Sequence, residues 1–479
     1  MNILQNTSQA QLKDSLPDNV LNPNWKPPMP DNQMEAAYAA IRASLEKNDK
    51  GTPFCSLQNF SIALQNDPIL SGHIRRNLFT EKMDINCELP WIRTSTTFDD
   101  TDMSFLLLHM ESHYGLKGEK MLMHALKIAS TNESFHPVRD KLLSLEWDGV
   151  PRVRFALHHF LGADISDFNE NCLKVFMFGA VNRVFRPGSK FELMLVLAGG
   201  QGAGKTTFVR YLAMDEEWFS DDIRNISDEK VFHHLNGHWI MEMSEMVATA
   251  NAKSIEEIKS FLSRSKDFCR LAYDRFGCDH PRQCVFAGTT NRMDFLPMDR
   301  SGNRRFMPVM IHPELADCHI LDNPEESRHY FEQMWAEIMV AYKAGDYRTY
   351  LTKEDEDHLK AEQELFSQED TLAGRIYAFM ENYHGDRLCS VQIYKEALDH
   401  QLDDPKFHET REIREIVNNG IALGYITGWQ AYKHPRRFAK YGNQRGWERI
   451  TSETAPIVQK AEQLGLTVVK DDPDLPWKD

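Results

Sequence analysis

Cysteine is scarce and unpatterned in this chain, with eight in 479 residues and no CxxC pair. Cys269, Cys278 and Cys284 are the closest set, and no histidine or cysteine pair around them has structural-zinc spacing. A disulfide framework and a zinc ribbon are excluded, and the thiols read as reduced, mostly buried groups of a cytoplasmic protein. Long apolar runs are also missing: nothing approaches the roughly 18 residues of a membrane span. Met1 to Asn6 offers neither a basic nor an apolar stretch, so no secretory signal is expected. Basic excess is the third absence. Lys and Arg total 55 against 71 Asp and Glu, a net charge of −16. That balance excludes a general nucleic-acid-coating surface and confines any DNA contact to a pore or groove.

What is present begins at Gly199, Gly200, Gln201, Gly202, Ala203, Gly204, Lys205 and Thr206, which fit the phosphate-binding pattern GxxxxGK[ST]. The apolar run Leu193 to Ala198 reads as a strand entering it, and Thr207 to Leu212 as a helix leaving it. Glycines let successive N–H groups turn toward phosphates, and the helix N-terminus adds partial positive charge. Lys205 is expected to reach the β- and γ-phosphates, Thr206 to complete a Mg²⁺ shell, and Thr207 to extend the cradle. The chain is expected to bind a nucleoside triphosphate.

The rest of the chain arranges itself around that loop. Residues 1–33 are polar and proline-dotted and read as a flexible arm. Residues 34–140 show helical patterns at Met34–Glu46, Ser56–Gln65 and Met103–Tyr114, the last with Leu106, Leu107 and Met110 on one face. Asp100-Thr101-Asp102 before that helix has the look of a polymerase metal motif, but helix capping explains it more simply. Residues 141–345 are expected to form a three-layer α/β ATPase domain, with apolar strands and helices alternating from Glu192 to Ile311. A helical stretch is expected over Pro324 to Leu359, and 346–370 read as an acidic linker. Residues 371–450 predict helices at Ala373–Tyr383, Val391–Leu398 and Glu409–Leu423, then β segments at Tyr425–Trp429 and Gly446–Ile450. That order is winged-helix-like. Residues 451–479 read as a tail.

Further motifs separate a motor from a kinase. Trp239-Ile240-Met241-Glu242 is an apolar strand ending in an acid, with Glu245 three residues on. One carboxylate is needed for the Mg²⁺ water shell and one to orient or deprotonate the attacking water. Glu242 suits the first role and Glu245 the second, though the two are exchangeable. Cys284 to Asn291 reads as a buried strand whose terminal carboxamide, Asn291, is placed to sense the γ-phosphate. Arg304 and Arg305 precede another apolar strand; guanidinium groups stabilise charge developing in phosphoryl transfer, and Arg305 is favoured over Arg304 as a finger reaching a neighbour's nucleotide.

Two local basic clusters run against the acidic background. Between the acidic strand and the Asn291 strand lie Lys253, Lys259, Arg264, Lys266, Arg270, Arg275 and Arg282, interleaved with Phe261, Phe268, Tyr273 and Phe276. Cations with aromatics suit a single strand, whose phosphates pair with the charges while bases stack on the rings. Arg264, Lys266, Arg270 and Arg275 are the favoured contacts; a solvated helix face is the simpler reading for Lys253 and Lys259. Near the C-terminus, Arg436, Arg437 and Lys440 stand with Lys433, His434, Arg445 and Arg449 among Tyr432, Tyr441 and Trp447. They suit a wing gripping duplex or forked DNA, and equally a surface for an acidic protein.

The segments 199–208, 238–246, 270–277, 286–291 and 299–309, with Trp147 to Val153 upstream, resemble the virulence-associated protein E family. These are phage- and island-encoded ATPases related to superfamily III helicases of the AAA+ class. The resemblance is specific over roughly 140–345 and weaker elsewhere. It implies an ATP- and Mg²⁺-dependent replicative DNA helicase of a mobile element, ring-forming and hexameric, working in the cytoplasm of a bacterial host. It also implies that the first basic cluster is a pore hairpin on single-stranded DNA. Larger relatives carry an N-terminal primase domain that is not seen here, which leaves a separate primase as a candidate partner. Two alternatives stay open: a DNA-binding initiator whose nucleotide cycle is an assembly switch, and a small-molecule kinase. The kinase reading leaves Asn291, the arginine pair and the C-terminal region unused.

Overall fold

The computed structural model describes residues 22, 24–223, 226, 231–244, 252–270, 276–296, 303–366, 370–422 and 424–450. No helix among them is long and apolar enough to cross a membrane. The chain divides into two compact units: 1–297 with 303–367, and 368–479 with 298–302.

The first unit opens with helices α1 (Asp31–Ser44) and α2 (Leu57–Asn66), a short antiparallel pair β1 (Ile74–Arg76) and β2 (Met83–Ile85), and helices α3 (Asp100–Tyr114) and α4 (Glu119–Asn132). Ser56 starts α2 by accepting from the Asn59 N–H. At α3 the cap is Asp99, not the DxD itself. Asp102 is the third helical residue and closes a capping box with it. Asp102 also accepts from Trp91 Nε1 at 2.8 Å and Arg93 Nε at 2.9 Å, so its oxygens are occupied structurally. Leu106 and Met110 are buried in the local core and Leu107 is half-buried. Beneath them the buried Asp67 carboxylate accepts from Tyr114 Oη (2.6 Å) and from the Ile69 and Leu70 N–H groups, and meets His109 Nε2 at 2.7 Å. A buried carboxylate requires such saturation.

Helices α5 (Pro137–Ser144), α6 (Val153–Leu161) and α7 (Asp167–Phe185) lead to the sheet. There follow β3 (Met194–Ala198), α8 (Lys205–Leu212), β4 (Phe219–Ser220), α9 (Val231–Leu235), β5 (Ile240–Ser244), α10 (Ala252–Leu262), the hairpin β6 (Lys266–Cys269) and β7 (Cys278–Pro281), β8 (Val285–Thr290) and β9 (Phe306–Met310). The main sheet has five parallel strands in the order β4-β5-β8-β3-β9. Its central strands are continuous apolar runs because both faces are covered. Leu195 and Leu197 face the core shared with α7 and α8, while Met194, Val196 and Ala198 face the core shared with α10. The result is an α/β core with helices on both faces.

Helix α11 (Pro324–Ala344) ends at Gly345, whose φ of +78° suits a residue without a side chain. The stretch expected as mainly helical to Leu359 is two helices. The second, α12 (Lys353–Leu365), lies within the segment expected as an acidic linker. Its charged residues conceal a buried side: Leu359 and Phe366 enter the core, and the Gln363 amide donates to Asn303 O and Phe306 O at 2.8 and 2.7 Å.

The second unit contains α13 (Thr371–Asn382), β10 (Arg387–Cys389), α14 (Ser390–Glu396), α15 (Phe407–Ala422), β11 (Trp429–Ala431), β12 (Arg436–Phe438), β13 (Gly442–Gln444) and β14 (Gly446–Arg449). Strand β14 lies between β10 and β11, all antiparallel, and β12 pairs with β13. Leu388, Trp429 and Trp447 bury themselves with Ile376, Ile413 and Val417 of the helices.

Candidate functional site

The C-terminal ends of β3, β5 and β8 converge, since Ala198 registers with Thr290 and Ser244 with Thr289. The glycine loop turns there. Gly202 and Gly204 have φ of +79° and +80°, accessible to glycine at little cost. At Gly199 a Cβ would lie 2.4 Å from Ile311 Cγ1, so no larger residue fits. Lys205 and Thr206 then open α8.

Lys205 Nζ donates to Gly199 O (2.8 Å), Gly200 O (2.6 Å) and Asn291 Oδ1 (2.9 Å). Thr206 Oγ1 donates to Glu242 Oε1 at 2.8 Å, and Thr289 Oγ1 donates to the same oxygen. Glu242 registers with Ala287, which puts Thr289, two residues on, at a diagonal position on the same sheet face. Thr289 was not singled out from the sequence; its only local signal is a small polar residue at a strand end. Glu242 is fully buried, and burial pushes its carboxyl above the ordinary value against the hydrogen bonds from Thr289 and Thr206. Its Oε2 is buried without a hydrogen-bond partner among the described residues. A hydroxyl beside an unsatisfied anionic oxygen is a donor set that suits Mg²⁺ and its water shell. Lys205, Thr206, Thr289 and Asn291 border a cavity of about 440 Å³ that also touches Gln201, Ala203, Thr207, Ser244, His319 and Leu321, with Glu242 buried behind Thr206 and Thr289. Glu245 lies outside the described residues.

Arg304 and Arg305 are not brought to this cavity. Both precede β9, whose Phe306 registers with Met194 at the start of β3, so they sit at the opposite end of the sheet. Arg305 Nε donates to Ser263 Oγ at 3.0 Å, and its Nη2 pairs with Glu192 at 3.3 Å; Arg304 pairs with Glu192 at 3.1 Å. Burial alone would raise the Glu192 carboxyl, but the Ser263 hydrogen bond and the Arg305 charge hold it below its ordinary value.

The first basic cluster falls on the β6–β7 hairpin and its base. Arg282 is consumed structurally: it is buried, makes a two-pronged pair with Asp267 at 2.6 and 2.9 Å, and donates to Phe261 O. Lys259, expected on a solvated face, is buried, because its helix turns that side onto the sheet. Lys253 has no described side chain, and Arg275 and Tyr273 lie outside the described residues. Arg264 is partly exposed over the Phe261 ring, Lys266 pairs with Asp279 at 2.5 Å, and Arg270 is exposed. Phe268 and Phe276 are 75% and 81% exposed on this hairpin. Single exposed rings are ordinary, but two on one short hairpin form an apolar surface.

In the second unit, Arg436 is partly exposed but engaged, pairing with Glu448 at 2.7 Å and lying over the Tyr432 ring. Arg449 donates to the Tyr383 and Gly385 carbonyls. Arg437 and Lys440, with Lys433, His434 and Arg445, remain exposed.

Strand, glycine loop and helix, with a buried acid on a neighbouring strand, define a P-loop-like α/β core. Residues 142–368, just under half of the chain, match the Virulence-associated protein E-like domain family. An apo structure of the NrS-1 C terminal region is 13% identical, covers 79% of this chain and 96% of that one, and has a TM-score of 0.40. An A-form apo structure of the same region is 11% identical over the same shares, with a TM-score of 0.43. No curated protein matches.

Proposed function

We propose that the protein is an ATP- and Mg²⁺-dependent DNA helicase of the superfamily III, AAA+ type, a ring-forming motor on single-stranded DNA that serves replication of a phage or mobile element. One observation carries the reading: a single sheet bears a phosphate loop at one end and an arginine pair at the other. Five strand residues separate the ends by about 17 Å, too far for Arg305 to serve its own nucleotide. A neighbouring copy would bring its Arg305 to this cavity, releasing it from Glu192 and Ser263, as a ring requires. Thr206 and Glu242 would hold Mg²⁺, which neutralises phosphate charge when bound. Lys205 would pass from the Gly199 and Gly200 carbonyls to the phosphates, and Asn291, its present partner, would meet the γ-phosphate. The second unit, with three helices and a basic hairpin, is assigned as a winged-helix-like DNA grip.

Shared sites predict complementation. Lys205→Ala and Arg305→Ala should each be inactive alone, while an equimolar mixture recovers about a quarter of wild-type ATPase if subunits assort at random. Steady-state turnover of mixed samples, with a sizing run, measures this; monomeric protein with full Arg305→Ala activity would reject the shared site.

The hairpin makes a second prediction. Base stacking on an exposed ring contributes ~1–3 kcal/mol, so Phe268→Ala/Phe276→Ala should weaken single-stranded DNA binding at least about tenfold. Fluorescence anisotropy with a labelled oligonucleotide reads this, and basal ATPase should be retained while its stimulation by the strand is lost. Hydrolysis indifferent to single strands in wild type would favour the assembly-switch reading instead. In that case Arg437, Lys440 and Lys433 of the second unit become the principal DNA contacts.

A further inference from the structure

The phosphate loop lines the cavity together with His319 and Leu321, which belong to a segment with no assigned task. After β9 the chain runs on past the start of the loop: the Ile311 N–H donates to Ala198 O at 2.9 Å. A Cβ placed on Gly204 would lie 3.0 Å from Ile320 Cγ2 and 3.9 Å from His319 Nε2. The turn that carries these residues is tied on every side. The His319 N–H donates to Asp322 Oδ2 at 3.0 Å, and the Asp322 N–H returns to His319 O at 2.9 Å. Ser327 Oγ donates to the Ile320 carbonyl at 2.8 Å. From α6, His159 Nδ1 meets Asp317 Oδ2 at 2.9 Å, and the Cys318 N–H donates to His159 O at 3.2 Å.

That rigidity gives His319 a defined polarity. The Leu321 N–H donates to His319 Nδ1 at 3.3 Å, so Nδ1 presents its lone pair. In the neutral ring the proton then sits on Nε2, the nitrogen nearest Gly204. Leu321, half exposed at 51%, adds an apolar patch to the same lining. The loop N–H groups and Lys205 already serve the triphosphate, which leaves a hydrogen-bond donor beside an apolar side chain for another part of the ligand. That pair suits a sugar oxygen and the face of a base.

We infer that His319 and Leu321 form the nucleoside subsite, with His319 Nε2–H donating to a ribose oxygen and Leu321 covering one face of the base; this rests on the nucleotide site proposed above. Titration calorimetry of the full chain with Mg²⁺·ATP and with Mg²⁺·tripolyphosphate tests it. His319→Ala should weaken ATP about tenfold, and Leu321→Ala about fivefold, while tripolyphosphate affinity stays within about twofold. Unchanged tripolyphosphate binding also shows that each variant is folded. His319→Gln, which keeps a donor, should recover most of the loss. Equal weakening of both ligands, or no change for ATP in either variant while Lys205→Ala weakens both ligands, would overturn the subsite. If Lys205→Ala left both ligands unaffected, the nucleotide site itself would fall and the subsite with it.

Discussion

Lys205→Ala should lower ATP turnover by about three orders of magnitude or more. Lys205 is the only Lys or Arg among the described residues lining the cavity, so no other side chain there can take over its charge. Its Nζ rests on the Gly199 and Gly200 carbonyls and on Asn291, poised at the sheet end where the phosphates would sit. In a site that excludes water, charge placed in advance stabilises the transition state more than the same charge would in solvent. The substitution leaves the two carbonyls facing an open cavity, where water can satisfy them, so the melting temperature should change little. A coupled ATPase assay beside thermal melting separates lost chemistry from lost fold. Turnover at the wild-type rate would reject the site.

Glu242→Gln is expected to do two opposite things: depress hydrolysis by about two orders of magnitude and stabilise the nucleotide-free protein near pH 8. The carboxyl is fully buried, its Oε2 is unpartnered, and its folded pKa is raised by desolvation. The stability it contributes is therefore fully present below its unfolded pKa and is lost as pH rises through the raised folded value. Glutamine keeps an oxygen for the Thr206 and Thr289 hydroxyls and removes the charge. The variant should thus melt higher than wild type at alkaline pH, with the gap closing as pH falls toward the carboxylate range. Mg²⁺ with nucleotide should reverse the order, because the ionised acid then gains a cation and the amide does not. Differential scanning fluorimetry across pH, with and without Mg²⁺·ATP, reads both effects. A variant less stable than wild type at pH 8 without ligand would contradict the account.

Local pattern was a good guide wherever the physics is local. The strand expected at Leu193–Ala198 is Met194–Ala198, and the helices expected in the second unit lie within about two residues of their places, the usual uncertainty of helix ends. Capping does explain the acids at the start of α3, though the cap is Asp99 and, of the DxD pair, Asp102 closes the box from inside the helix. Pattern misled where burial depends on a distant partner. Lys259 looks solvated and is buried, Arg282 looks available and is spent on Asp267, and the charged stretch 353–365 is a helix anchored by Leu359 and Gln363. In the second unit, Arg436 and Arg449 count as basic in sequence but answer Glu448 and backbone carbonyls in the fold.

The phosphate loop, its flanking strand and helix, and the strand leading to Asn291 were legible in the residues alone. Each depends on glycine conformations and apolar spacing within a few residues. Only the tertiary structure decided that Glu242 meets Thr206 and Thr289, that Asn291 meets Lys205, and that His319 and Leu321 wall the cavity. It alone placed Arg305 at the opposite end of the sheet. Those relations follow from strand order and register, which arise from packing both faces of a buried parallel sheet and which no short window of residues contains.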